Sequence, residues 1–431
     1  MTWNRRPRGA VTIYFVLFLV LFFGFLVMAV DVGRMYLIQG ELQTAATAAA
    51  MASALQLVGT ANATLRAGER MTAAFDAGTG GDNRFNLRMN RVGGDSQLTS
   101  EATIDFYANL LDALSGVNGG QGGGIDWASG IYPKYSRVQV TAQAPVLFAP
   151  LLGASTQTPP TVAVSAVAGI SVPLCTVCGI DALAVEDLSA GADDQNFGFT
   201  PGGFYTLFLT QTQQGRPRPI TQAPLGGTLA SVRYALLYHL PNGPSDLDLD
   251  NSLFALAAGG VSTRPDDSLP GFLSIGTAET AYAIPGGTTA GQDILCGLNT
   301  RFGVDLADNL CNTLAGGTFS SLAPLFQADT DAGRGTFSAG EALQDFSKEY
   351  EGNQRRILTL AVIDSTDAGN VLNFRQFLLQ MSAGQEAGLN LSLASGAFVA
   401  QYIGTPVPVR CGTIGGPCRI ASGVGRVVLH S

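Results

Sequence analysis

The chain offers little catalytic chemistry. Its 431 residues include two histidines, His239 and His430, and two tryptophans, and only 13% of its side chains are charged. Two histidines leave little room for a Ser-His-Asp arrangement. No G-x-S-x-G elbow, G-x-x-x-x-G-K-[ST] phosphate loop or H-E-x-x-H pair occurs, which removes the usual signatures of serine hydrolases, P-loop nucleotide enzymes and zinc proteases. Positive charge is also scarce. Residues 1–57 hold four of the 24 Lys and Arg and two of the 33 Asp and Glu, so residues 58–431 carry 20 against 31, a net −11. That balance argues against nucleic-acid binding through a basic surface and matches anionic lipid headgroups poorly. No internal repeat at a fixed period is visible. With 46% hydrophobic residues, 54 glycines and 20 prolines, the chain can bury a core rich in turns and strands.

What the sequence does have is one long apolar run. Ala10 to Val30, AVTIYFVLFLVLFFGFLVMAV, holds 21 residues without a charge, preceded by Arg5, Arg6 and Arg8 and closed by Asp31. About 20 apolar residues in an α-helix cross the hydrocarbon layer. A signal-peptide core is shorter and leads to a small-residue cleavage site, whereas this run leads into charged, helix-forming sequence, so a retained anchor is expected. The arginines orient it, with residues 1–9 as a cytoplasmic tail and the bulk outside.

Asp31 to Leu57 contains no proline and is dense in alanine, which extends the reading to one helix of about 48 residues and 70 Å from Ala10 to Leu57 at 1.5 Å per residue. About half would protrude from the bilayer. Ala45, Ala46, Ala49, Ala50 and Ser53 form a small-residue face. Either another helix approaches it closely, as in membrane helix pairs, or it packs on the protein's own domain.

These residues carry a resemblance. Arg8-Gly9 before the apolar run, Asp31 to Arg34 after it, Tyr36, the Leu42-Gln43 pair and the ladder Ala45 to Ala54 resemble the amino-terminal segment of TadG-like proteins of the Tad (Flp) pilus-assembly system. The chain departs from that pattern at Thr47, where the family usually has Asp. CGIDALAVEDLSAGADDQNFGFTPGGFYTLFL, RRILTLAVID and GVGRVVLHS resemble a carboxy-terminal region of some members. The resemblance implies a single-pass inner-membrane protein, amino terminus inside and bulk in the periplasm or outside, acting without cofactor on other Tad components and pilin-like helices, with membrane lipid around its anchor. Gly9 before an apolar helix is similar to a prepilin-peptidase site. Pilin-type precursors usually carry a glutamate five residues past the cut, and here Tyr14 stands there. An unpaired new ammonium group would be costly among packed helices, so the tail is expected to stay attached. A von Willebrand A module, which some TadG-like proteins carry, is not expected, because Asp187 and Ser189 fall short of its D-x-S-x-S metal motif.

Beyond the helix, Ala63 to Phe75 and Glu101 to Leu114 read as helices, and SGVNGGQGGG as a flexible loop. SRVQVTAQAPV alternates Val138, Val140 and Ala142 with Arg137, Gln139 and Thr141, a half-buried strand. TVAVSAVAGISV repeats the pattern, and the two are expected to pair antiparallel. A first α+β domain of residues 31–172 then gives way to a strand-rich extracytoplasmic domain of residues 173–431. Within the latter ILTLAVID is a buried strand, VLNFRQFLLQM an amphipathic helix or strand, AFVAQYIG a strand and VGRVVLH a terminal edge strand. The fold class is α+β.

The six cysteines, an even number outside the cytoplasm, read as disulfides. Sequence proximity favours Cys175–Cys178, Cys296–Cys311 and Cys411–Cys418. The CxxC at 175–178 also fits a redox motif or half a zinc site, but there is no second CxxC or His pair and no βαβ context. Asp329 and Asp331 in DTDAGRGTFSAGE approach a calcium loop, yet Glu341 falls one position late, and a solvated turn is expected. A membrane-tethered binding or adhesion module, calcium-assisted through Asp329 and Asp331, is the competing class.

Overall fold

The computed structural model describes residues 10–59, 63–75, 100–117, 131–143, 160–209, 230–236, 272–276, 289–302, 328–331, 350–364, 370–380, 396–414 and 422–430, apart from a few residues within them, and some short pieces between. The first element is one uninterrupted helix, α1 (Ala10–Ala54). With no proline in it and alanine dense in its second half, nothing breaks the hydrogen-bond ladder through Leu55. After a short turn α2 (Ala63–Phe75) follows, as its amphipathic pattern requires.

The expected helix over Glu101 to Leu114 is a strand followed by a helical turn and a half: β1 (Ser100–Tyr107), then α3 (Leu110–Ser115). Ala102, Ile104 and Phe106 alternate with Thr103, Asp105 and Tyr107, a period of two that a β-ladder uses and a helix cannot. Asn109 then caps α3, its side chain accepting from the Asp112 amide, and Gly116 closes it at φ 69°. β2 (Tyr135–Gln143) and β3 (Thr161–Ile170) pair antiparallel, Val140 opposite Val164. As read from the sequence, Val138, Val140 and Ala142 are buried while Arg137, Gln139 and Thr141 between them are only partly so.

The remaining elements are β4 (Thr176–Cys178), β5 (Leu183–Glu186), β6 (Phe204–Leu209), β7 (Thr212–Gln213), β8 (Arg216–Pro217), β9 (Ala230–Leu236), β10 (Phe272–Ser274), α4 (Thr289–Thr300), β11 (Ile357–Ile363), β12 (Val371–Leu379), β13 (Phe398–Tyr402), β14 (Cys411–Thr413) and β15 (Val427–His430). Six of them close a barrel in the order β11-β12-β13-β6-β9-β5. β5–β11 and β6–β9 are parallel and the other described pairs antiparallel. Every residue of β11 is buried, because one side lines the barrel core and the other packs with Val177 of β4 and Leu273 of β10. Leu358, Leu360, Phe377, Leu207 and Phe398 fill the interior together with Ile294, Leu295 and Leu298 of α4. The last strand leaves this region, and β15 pairs with β3 as the edge of the first sheet, whose order is β1-β2-β3-β15.

Candidate functional site: the long helix and the sheet that grips it

Two regimes divide α1. From Ile13 to Leu26, and again at Met28, its large apolar residues lie exposed, Phe18 and Phe25 at 65%. Its most apolar stretch has no burial within the protein. By length and composition this helix can cross a membrane. Burial begins at Asp31 and recurs at Ile38, Leu42, Ala45, Ala46, Ala49, Ala50, Ser53 and Ala54, the three- and four-residue spacing of one helix face.

That face meets the sheet. Ile38, Leu42, Ala46, Ala49, Ala50 and Ala54 share one core with Val138, Val140, Ala142, Val162, Val164, Ala166 and Ala168, joined by Met71 of α2. Small side chains let the helix axis approach the strands closely. Polar groups fix the register: Ser53 Oγ donates to Ser136 Oγ at 2.9 Å, and Ser136 Oγ donates to the Ala50 carbonyl at 3.0 Å. Gln43 Nε2 donates to the Ser165 carbonyl at 3.2 Å. Of the two occupants the sequence left open for this face, the protein's own sheet and α2 cover it. At the far end Val58 and Ala63 pack with Tyr350, Ile357, Leu378, Ile403 and Val407, and Gln354 Nε2 donates to the Leu55 carbonyl, so the barrel also holds the helix.

The opposite face stays open. Tyr36 and Leu37 are 70% and 66% exposed, with Val32 and Met51 also outward. A Cβ added at Gly33 or Gly40 would meet nothing within 4 Å.

This helix, with Arg8-Gly9 before it and Asp31-Val-Gly-Arg34 where burial begins, is what the family comparison sees. Residues 9–56 match the family described as putative Flp pilus-assembly TadE/G-like. No curated protein and no solved structure matches the chain. The TadE/G-like segment therefore comprises α1 and little more, ending where the helix gives way to the turn before α2.

The other sequence-predicted residues lie elsewhere. Cys175 is bonded to Cys418, with 5.6 Å between their Cα atoms, which corrects the local pairs Cys175–Cys178 and Cys411–Cys418. The chain from Cys175 runs extended through β4, and the Cys175 amide donates to the Thr413 carbonyl. Residues three apart on a strand are separated by about 10 Å, beyond the reach of a bridge. Cys178 and Cys296 are disulfide-bonded too. Cys411 opposes Cys178 across β4 and β14, and Cys311 lies outside the described residues.

Asp329 is not in a solvated turn. It is 3% exposed, one oxygen accepting from the Asp331 and Asn353 amides and the other from Tyr350 Oη at 2.6 Å and the Arg356 amide. Burial, then the Asp329 charge, raise the Tyr350 pKa far above the usual phenol. Asp331 pairs with Arg356 at 3.2 Å. Glu341 lies outside the described residues. Asp187 accepts from the Ser189 amide and hydroxyl and from the Gly191 amide, a loop-shaping role. Asp193, further along the same loop, accepts from the Asn196, Gly198 and Gln195 amides, led by Asn196, and these hold its carboxyl below the ordinary value.

Sequence reasoning passed over the buried arginines. Arg301, Arg356 and Arg375 are each 6% exposed or less. No motif marks them; their only trace is a basic residue inside an otherwise apolar run, as in VLNFRQFLLQM.

Proposed function

We propose that the protein is a membrane-anchored assembly or anchoring component of a Tad/Flp-type pilus that acts by protein–protein contact. The observation that carries this reading is the TadE/G-like match over residues 9–56, which coincides with the helix able to span a membrane. Arg5, Arg6 and Arg8 keep the tail in the cytoplasm and the outer units in the periplasm or beyond, with lipid around Ala10 to Val30. The units are residues 31–172 and 173–431, with β15 crossing back between them. The protein is not an enzyme in this reading.

Because the alanine face is covered, pilin-like helices and other Tad components are met by the outward stripe of Val32, Tyr36, Leu37 and Met51. The barrel lies outside the matched segment, and this favours one alternative, a membrane-tethered binding or adhesion module. Deleting the gene in its host separates the two. Loss of surface pili, restored by the wild type but not by a Tyr36→Asp/Leu37→Asp variant that still folds, supports assembly. Normal pili with lost adhesion would sink it and leave the tethered module.

A further inference from the structure

Three arginines are buried in or beside the barrel, and two of them have a carboxylate. Arg301 pairs with Asp181 and Arg356 with Asp331. Arg375 is different. It is 6% exposed, and its partner across the ladder, Leu360, belongs to the barrel core, so it enters the interior. Its guanidinium donates to the carbonyls of Phe374, Asp194 and Gln195 and, from Nη2, to Ser422 Oγ at 2.9 Å. Among the described residues no carboxylate lies within 4.0 Å of it. Burial pulls its pKa below the usual value, against the opposing influence of Tyr402 and, through space, of Asp193 and Asp194.

Beside this cation lies a cavity of about 30 Å³, bounded by Arg375, Gln195, Tyr402, Gly404, Ser422 and Val424. That is room for about two waters or one carboxylate head. The neighbouring polar groups are engaged, Tyr402 with Arg375 itself through a side-chain hydrogen bond. Tyr402 Oη donates to Asn196 Oδ1 at 2.9 Å, and burial pushes its pKa up to about 12. The Gln376 amide is bonded both ways to Val407. The connection from β5 to β6 that closes this mouth holds Phe197 at φ 55°, a strained setting for an aromatic residue, with the Arg375 guanidinium 4.8 Å from its ring centre.

We infer that the mouth of the barrel is a carboxylate-binding site in which Arg375 supplies the charge and Ser422 the rim contact. A buried guanidinium solvated only by neutral groups gains most from an anion, and a carboxylate entering the cavity would take over donors that now meet neutral oxygens, Nε and Nη2 both being held by the Gln195 carbonyl. The carboxylate comes either from a small free acid or from an acidic side chain of a partner protein. This inference does not rest on the pilus reading, and its failure would leave that reading standing.

The test follows thermal unfolding of the full chain in detergent as acetate or a blocked aspartate peptide is added, against acetamide and chloride at constant ionic strength. A saturable upward shift with a carboxylate and none with acetamide or chloride is expected. Ser422→Ala should weaken it about tenfold, the worth of one polar contact to a charged group, and Arg375→Met should abolish it. Should Arg375→Met fail to fold, Arg375→Lys, which keeps the charge and loses the fork, should reduce the affinity. Equal responses to acetate and peptide identify a small acid; tighter binding of the peptide identifies a partner side chain. A chloride response equal to that of acetate, no saturable shift, or an unchanged response in Ser422→Ala and the folded Arg375 variant overturns the inference.

Discussion

Alanine and glycine residues spaced along one helix have opposite meanings here. Ala46 and Ala49 are 0% exposed against the strands, whereas Gly33 and Gly40 face open space. Ala46→Leu should therefore destabilise the outer unit by about 1–3 kcal/mol, the usual cost of overpacking. Gly40→Ala should stabilise it by up to about 1 kcal/mol through helix propensity. Denaturant unfolding of the detergent-solubilised protein checks both, and equal effects would mean that the two faces have been confused. That the alanine ladder is an interface is legible in the sequence, since small residues at helical spacing have few other uses. Its occupant is not, because Ser136 and Ser165, which lock the helix in place, stand far downstream on strands of their own. Asp329 is legible as part of an acidic turn but not as a buried carboxylate, for the same reason: Tyr350, Asn353 and Arg356 reach it from much further along the chain.

Strands with clean alternation are the most legible elements. β2, β3 and β11 can be read from side-chain period or an unbroken apolar run, whereas β1 looks helical because its two acidic residues and alanine suggest a helix when pairing is ignored. The barrel is not legible, since β5 finds its parallel partner β11 only after β6 to β10 and α4 have intervened, and nothing local encodes that choice. One strand carries a titratable device. His430 on β15 packs edge-on to Tyr135, their ring centres 5.4 Å apart, and its Nε2 is buried without a hydrogen-bond partner. The Tyr135 ring can lie across the sheet there because Gly169 has no Cβ, which would come 2.2 Å from that ring. Burial lowers the His430 pKa below its ordinary 6.5. A depressed folded value means that the neutral form is favoured, so the strand is fully stable above pH 6.5 and loses stability as pH falls from there through the folded pKa. Amide exchange in β15 should accelerate on acidification from about pH 6.5, and His430→Phe should flatten that response.

For the molecule as a whole, the apolar run and its flanking arginines make a topology claim that is simple to test. A carboxy-terminal alkaline phosphatase fusion should be active, and an intact-mass measurement should find residues 1–9 still attached in cells containing the prepilin peptidase. An amino terminus at Ala10 would make the protein a pseudopilin. The bond between Cys175 and Cys418 spans a sequence separation of 243, a closure worth about 5 kcal/mol in the chain-entropy model. It gathers most of the outer chain before its last segment returns to β3. In the proposed topology that return sets an order of events during export. The membrane-proximal sheet is translated first, yet it cannot complete its edge until Val427 to His430, the partners of Ile170 to Val167, have followed the whole barrel across the bilayer. Until then β3 presents unpaired backbone groups to whatever is nearby. The emerging chain therefore needs the translocation machinery, or a periplasmic chaperone, to keep that edge from pairing with a neighbouring copy, and a product cut short before Val427 would be left permanently with it.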